Sequence, residues 1–214
     1  MLKRNKGLVI VTTLITLLPI LVGIFLWDQL PDRVATHFNI HGEPDGWSSK
    51  VFGVIGLPLI LTGTHVICVL ATLADPKKQN IQDKMFRLVL WITPLISFFV
   101  MGLIYSYSLG VEMDVTKGCM ILVGLMFVVV GNYLPKCRQN YTVGIKLPWT
   151  LADEGNWNKT HRFGGWLWMI AGLIILVMTV IGKLNPFVLL GDILVASIAP
   201  MLYSYVLYLK EGRK

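Results

Sequence analysis

The chain has 214 residues, of which 55% are hydrophobic and only 14% charged, whereas soluble globular proteins run about 45–50% apolar and roughly 25% charged. Its net charge of +7 would suit a nucleic-acid partner if the basic residues clustered on a soluble fold. They lie instead between long apolar runs, which excludes that arrangement and points to orientation in a membrane.

A spanning helix needs about 20 mostly apolar residues, and six segments meet that length. The first, Gly7–Trp27, follows Lys3, Arg4 and Lys6. It is longer than a signal-peptide apolar region and lacks a small-residue cleavage site, so it is expected to be a retained span. Val51–Ala74, Met85–Leu109, Val115–Leu134, Gly164–Gly182 and Phe187–Leu209 follow. Arg87, Lys117 and Asp192 fall near span ends, where charge is tolerated. Pro19, Pro58, Pro94 and Pro200 lie inside spans and predict kinks. The expected fold is an all-α membrane protein with six transmembrane helices and both termini cytoplasmic.

Orientation comes from counting Lys and Arg. With the N-terminus inside, 15 fall on the cytoplasmic side, among them Lys210, Arg213 and Lys214, and 4 outside, namely Arg33, Lys50, Lys117 and Lys183. The excess follows the positive-inside rule. Trp27, Trp47, Trp91, Trp149, Trp166, Trp168, Tyr133, Tyr203 and Tyr208 sit at or near the proposed boundaries, as amphipathic rings prefer. Cys68, Cys119 and Cys137 are odd in number and differ in depth, so free thiols are expected rather than a disulfide framework.

Two connecting segments are long. The external one, Asp28–Lys50, carries Asp28, Asp32, Glu43 and Asp45 with His37, His41 and Trp47. Gly42, Pro44 and Gly46 predict a compact, turn-rich cap. His37 and His41 have the spacing of two ligands on one helical face. The competing account has the imidazoles bonded to the loop backbone while Phe38 and Trp47 pack on the bundle. No metal and no cofactor is assigned; His37 and His41 are the pair that would bind a metal.

The cytoplasmic segment, Pro135–Phe163, carries five basic residues against Asp153 and Glu154. Thr150 followed by Asp153 has the form of a capping box, predicting a helix from about Leu151. Trp157 and His161 fall one turn apart on it, beside Lys159 and Arg162. This predicts an interfacial helix leading into the fifth span. It either adheres to anionic lipid, each basic residue contributing about 1 kcal/mol, or meets a cytoplasmic partner.

Both segments resemble those of the SdpI family of bacterial membrane proteins. LPDRVATHFNIHGEPDGWSSK at Leu30–Lys50 is similar to the family's N-terminal module, and GNYLPKCRQNYTVGIKLPWTLADEGNWNKTHRFGG at Gly131–Gly165 to its most recognisable signature. Lys146 stands where Arg is frequent. The chain divides by this likeness into an N-terminal module, 1–75, with two spans and the external loop, and an SdpI-like module, 76–214, with four spans and the cytoplasmic loop. The resemblance implies a multi-pass protein of the bacterial cytoplasmic membrane that gives immunity to a secreted peptide toxin. It further implies a receptor role, in which the toxin-engaged form holds a small DNA-binding autorepressor at the membrane. The partners expected are therefore the toxin outside, the repressor inside and the lipid bilayer, with no direct nucleic-acid contact. The toxin-facing candidates are His37, Phe38, Asn39, His41, Asp45, Trp47 and Lys50. The partner-facing candidates inside are Asn132, Pro135, Lys136, Asn140, Gly144, Lys146, Trp149, Thr150, Trp157, Lys159, Thr160, His161 and Arg162.

Two other readings compete. A small solute or ion transporter or channel would use intramembrane polar residues such as Thr62, Thr64, His65, Ser97, Asn132 and Asp192, but these are scattered and form no charged pair at mid-depth. A metal-dependent membrane enzyme would draw on Asp153, Glu154, Thr160 and His161, or on His37, His41, Glu43 and Asp45. No nucleophile motif accompanies either group, and no catalytic residue is expected.

Overall fold

The computed structural model describes residues 1–211, with the side chain of Glu211 and the calls on Arg213 and Lys214 lying outside what is described. Seven α-helices and one hairpin make up the described chain: α1 (Leu2–Phe25), β1 (Arg33–Phe38), β2 (Pro44–Ser49), α2 (Leu57–Ala74), α3 (Asp83–Ser108), α4 (Val115–Tyr133), α5 (Pro148–Ala152), α6 (Glu154–Val180) and α7 (Pro186–Glu211). Six helices are long and apolar enough to cross a membrane, as the hydropathy pattern predicts. A π-helical turn, Phe52–Gly56, opens the second span, with the Leu57 N–H reaching back to the Phe52 carbonyl. Pro58 follows it, lacking an N–H and crowding the carbonyl one turn back, and the widened turn relieves that clash.

The fifth span differs from its expected form. Thr150 does not cap it: that residue lies inside the short α5. The long helix starts at Glu154, capped by the Asp153 carboxylate, which accepts from the Asn156 N–H. The segment expected to lie along the interface is instead the first two turns of a continuous 27-residue helix.

The chain packs as two compact units. One comprises Met1–Ala74 with Phe86–Thr116, and the other joins Asp75–Met85 to the stretch from Lys117 onward. Most of α3 therefore packs with the first two spans, although the sequence division at 75/76 places it with the last three.

In the first unit, α1 is stitched to its neighbours by polar groups at several depths. Arg87 Nε donates to Asn5 Oδ1 (3.3 Å). His65 Nε2 meets the Thr12 hydroxyl (3.2 Å). Ser97 donates to the Thr16 carbonyl (3.0 Å), and the Tyr105 hydroxyl to the Pro19 carbonyl (2.9 Å). Hydroxyl donors suit this task, because lipid offers exposed backbone carbonyls no partner. Thr62 and Thr64 bond carbonyls of their own helix. His65 Nδ1, on the far side of its ring, and Asp192 Oδ2 in the second unit are buried without a hydrogen-bond partner.

In the second unit, glycines set the approach of α4 to α6. A Cβ on Gly131 would lie 2.8 Å from the Gly165 carbonyl oxygen, and one on Gly172 would lie 2.6 Å from that of Gly124. Small residues let the two backbones touch along their length. Phe127 and Trp168 stack beside this seam, with ring centroids 4.7 Å apart.

Candidate functional site

The two segments outside the spans are both folded, in different ways. In the first unit, the external segment is an antiparallel hairpin rather than a purely turn-built cap, with Arg33 opposite Ser49 and Val34 opposite Ser48. Its base is anchored by apolar burial. Leu30 and Val34 join Val54, Met101, Ile104 and Tyr105 in one core cluster. Lys50 fastens the returning strand: its ammonium donates to the Trp27 carbonyl (3.1 Å), lies over the Trp27 ring, and pairs with Asp32 at 3.6 Å. Phe38 meets Tyr107 edge-to-face, with centroids 5.1 Å apart.

Asn39 builds the tip. Its side-chain carbonyl accepts the N–H groups of His41 (2.8 Å) and Glu43 (3.1 Å), and Gly42 takes φ +77°. A Cβ at Gly42 would also lie 2.9 Å from the Thr116 hydroxyl. The tip is thus an Asx-organised turn that needs glycine.

The seven external candidates accordingly divide. Phe38, Asn39 and Lys50 hold the hairpin together, whereas His37, His41, Asp45 and Trp47 are exposed. His37 Nδ1 pairs with Asp45 across the strands. Trp47 stands 46% exposed, with Ile40 at the tip 67% exposed. The helical premise of the metal reading fails, since His37 is in a strand and His41 in the turn. Among the described residues no group of three or more His, Cys, Asp or Glu is placed to hold a metal ion.

In the second unit, residues 137–150 cross with almost no regular secondary structure. Their backbone polar groups need other partners, and the signature side chains supply them. Asp75 is buried, and its carboxylate accepts from the backbone N–H groups of Lys77 (2.7 Å) and Tyr141 (2.9 Å) and from the Thr142 hydroxyl. Asn140 is also buried. Its carbonyl accepts from the N–H groups of Thr142 (2.9 Å) and Val143 (2.7 Å), and its amide donates to the Arg138 carbonyl (2.8 Å). Gln139 donates to the Thr150 carbonyl (2.9 Å), and Thr150 accepts from the Leu147 N–H (2.8 Å). The 75–80 turn is tied in through Asn80, which donates to the Gln139 carbonyl (2.8 Å), and through Lys77, which bonds the Gln139 side chain.

Trp157 and His161 form the floor. Both are buried and their rings stack 3.9 Å apart. The Trp157 indole donates to the Cys137 carbonyl (2.7 Å). His161 Nε2 accepts from the Ile145 N–H (2.8 Å), so Nδ1 carries the proton and donates to the Trp157 carbonyl (2.8 Å). Both ring nitrogens are thereby committed to structure, which leaves His161 none for a metal or for proton transfer. Gly144 crosses above these rings at φ +124°, where a Cβ would lie 2.9 Å from the Trp157 ring. Burial of the Cys137 thiol beneath this segment pushes its pKa up to about 11, aided by the nearby Asp75 carboxylate and opposed by the bond from Asn140.

A second knot secures α6 to α7. Asn156 donates to the Ser204 carbonyl (2.9 Å), and its side-chain oxygen accepts from the hydroxyls of Ser204 (2.7 Å) and Thr160 (3.0 Å). The Trp149 indole donates to the Ser204 hydroxyl (2.7 Å), and its ring stacks near Tyr208. Of the cytoplasmic candidates, Asn140, Gly144, Thr150, Trp157, Thr160 and His161 are therefore scaffold, and Trp149 is half-buried in this knot. Asn132, Pro135, Lys136, Lys146, Lys159 and Arg162 are exposed. Sequence reading missed Asp75, Gln139, Asn156 and Ser204. Asp75 and Ser204 stand outside the motif, with no local signal of what they bond.

Fold and segments together define a multi-pass helical membrane protein with two preorganised modules outside its spans. Residues 136–204 match the model of the SdpI/YfhL protein family, and residues 14–62 match a domain of unknown function (DUF1648). The chain is 24% identical over 213 residues to the immunity protein SdpI of Bacillus subtilis (strain 168), covering 97% of each chain. No solved structure matches it. The chain is thus similar to the SdpI/YfhL family over about a third of its length and to an SdpI immunity protein along nearly all of it.

Proposed function

We propose that this chain is a membrane immunity protein protecting its host cell from a secreted antimicrobial peptide toxin. The observation that carries the reading is the end-to-end likeness to an immunity protein, which takes in both folded segments. The charge count orients the hairpin outward and the 135–163 segment inward in this proposal. Within the second unit, the bonds of Asp75, Gln139 and Ser204 hold the 75–80 turn, the 135–163 segment and the end of α7 together, as one side of the membrane requires. In the first unit, Phe38 and Gly42 approach Tyr107 and Thr116, so the hairpin shares its side with the 109–114 turn.

The toxin meets the exposed hairpin face of His37, Ile40, His41, Asp45 and Trp47. An aromatic ring among polar neighbours suits an amphipathic peptide arriving at the outer leaflet. A receptor function follows if a cytoplasmic repressor docks on the exposed Lys146, Lys159 and Arg162. Toxin binding must then favour one of two states of the chain.

Expression in a toxin-sensitive cell, with survival scored against the cognate peptide, tests the immunity function. Survival is expected for the native chain, and loss of protection by an inserted, folded chain would overturn the proposal. For signalling, Lys159→Ala with Arg162→Ala should release the repressor from the membrane while protection persists. Unchanged recruitment would remove that face from consideration.

A further inference from the structure

Beyond immunity, we propose that the junction between the start of α3 and the end of α4 is a binding site for the headgroup of an anionic phospholipid. Gln82, Lys84, Met85, Tyr133 and Lys136 line a cleft of about 140 Å³, all within the second unit. Two lysines and no acid are among these residues. Lys136 is already positioned: its ammonium donates to Asn132 Oδ1 (3.2 Å) and lies 5.1 Å from the centroid of the Tyr133 ring. Lys84 is exposed at the opening turn of α3. Asp83, which opens the same turn, is engaged in an interaction of its own. A cleft lined by two ammonium groups and the Gln82 amide side chain matches a phosphate bearing net negative charge.

Its position selects lipid as the source. The cleft lies where two membrane-length helices meet the interface, α3 beginning at Asp83 and the fourth span ending at Lys136. This is the level of headgroups, and Tyr133 is a residue type that prefers it. A phosphate seated there leaves its acyl chains free to run along the apolar helices. Each lysine near a membrane surface favours anionic lipid by roughly fivefold.

The test uses purified full-length protein in detergent, titrated with short-chain phosphatidylglycerol, with phosphatidylcholine of equal chain length, and with inorganic phosphate, following the thermal midpoint. Phosphatidylglycerol is expected to raise the midpoint at lower concentration than phosphatidylcholine, and phosphate alone to leave it unchanged. In Lys84→Gln/Lys136→Gln the half-effective phosphatidylglycerol concentration should rise roughly 25-fold. The control Lys78→Gln/Arg138→Gln removes the same charge elsewhere on this unit and should change it by less than about fivefold. If the double variant is poorly folded, Lys84→Gln alone should raise the value roughly fivefold. A lipid preference retained in the variants, or lost equally in the control, overturns the site. A shift produced by phosphate alone overturns the assignment to lipid. None of these readouts depends on toxin protection.

Discussion

The hairpin and the 135–163 segment look alike as sequence, each holding Gly, Pro, Asn and Trp between apolar runs, but they are stabilised in opposite ways. The hairpin pairs its own backbone, so its side chains need only anchor the base, and four of its seven candidate residues remain exposed. The 135–163 segment has no ladder. Side chains must satisfy its backbone amides and carbonyls, so its own Asn140, Thr150, Trp157 and His161, with Asp75 from the 75–80 turn, are consumed by the fold. A conspicuous polar motif is therefore an external contact surface only where secondary structure has already met the backbone's demands.

That contrast can be broken at its strong side first. Trp157→Ala removes a fully buried ring and the indole bond to Cys137, and should lower stability by about 3–5 kcal/mol, read as loss of thermal midpoint and of membrane abundance. A variant that stays folded but loses only partner recruitment would show that Trp157 is a contact residue after all. Gly144→Ala places a Cβ against the Trp157–His161 stack on a backbone that L residues rarely adopt, and should cost about 2–4 kcal/mol. Wild-type stability in that variant would mean the segment relaxes around it.

Asp75→Asn keeps one acceptor but turns an amide toward the Tyr141 N–H and the Thr142 hydroxyl, with an expected loss of about 1–3 kcal/mol. A further effect in this segment is pH-dependent. Folded Cys137 stays protonated to about 11, while in the unfolded chain the thiol ionises near its ordinary value. This group thus leaves stability unchanged below about pH 8.5 and takes it away as pH rises toward 11. In a Cys68→Ala/Cys119→Ala background, alkylation of Cys137 at pH 8 should proceed only on denaturation.

At the hairpin the expected change in stability is smallest of all. Trp47→Ala and Asp45→Asn should move it by no more than about 0.5 kcal/mol, yet reduce survival against the peptide. Equal losses of stability and protection would erase the distinction between the two segments.

The span pattern was legible because lipid imposes one simple requirement, about 20 apolar residues per crossing. The free thiols were legible too. The start of α6 was misplaced because Thr150 and Asp153 each offer a plausible cap. Only the rest of the fold decides: Thr150 is held by the Leu147 N–H, which leaves Asp153 to cap Asn156. Metal-like spacing at His37 and His41 depended on assuming a helix, whereas the Asn39-organised turn makes a hairpin.

By itself, then, the sequence determined the number of crossings and the two long segments between them. Tertiary structure decided which signature residues face outward, since a buried polar group is fixed by partners distant in the chain. Asp75 finds its partners at Tyr141 and Thr142, and Asn156 at Ser204. No local pattern encodes a bond across that many residues, because it exists only once the helices have brought the two ends together.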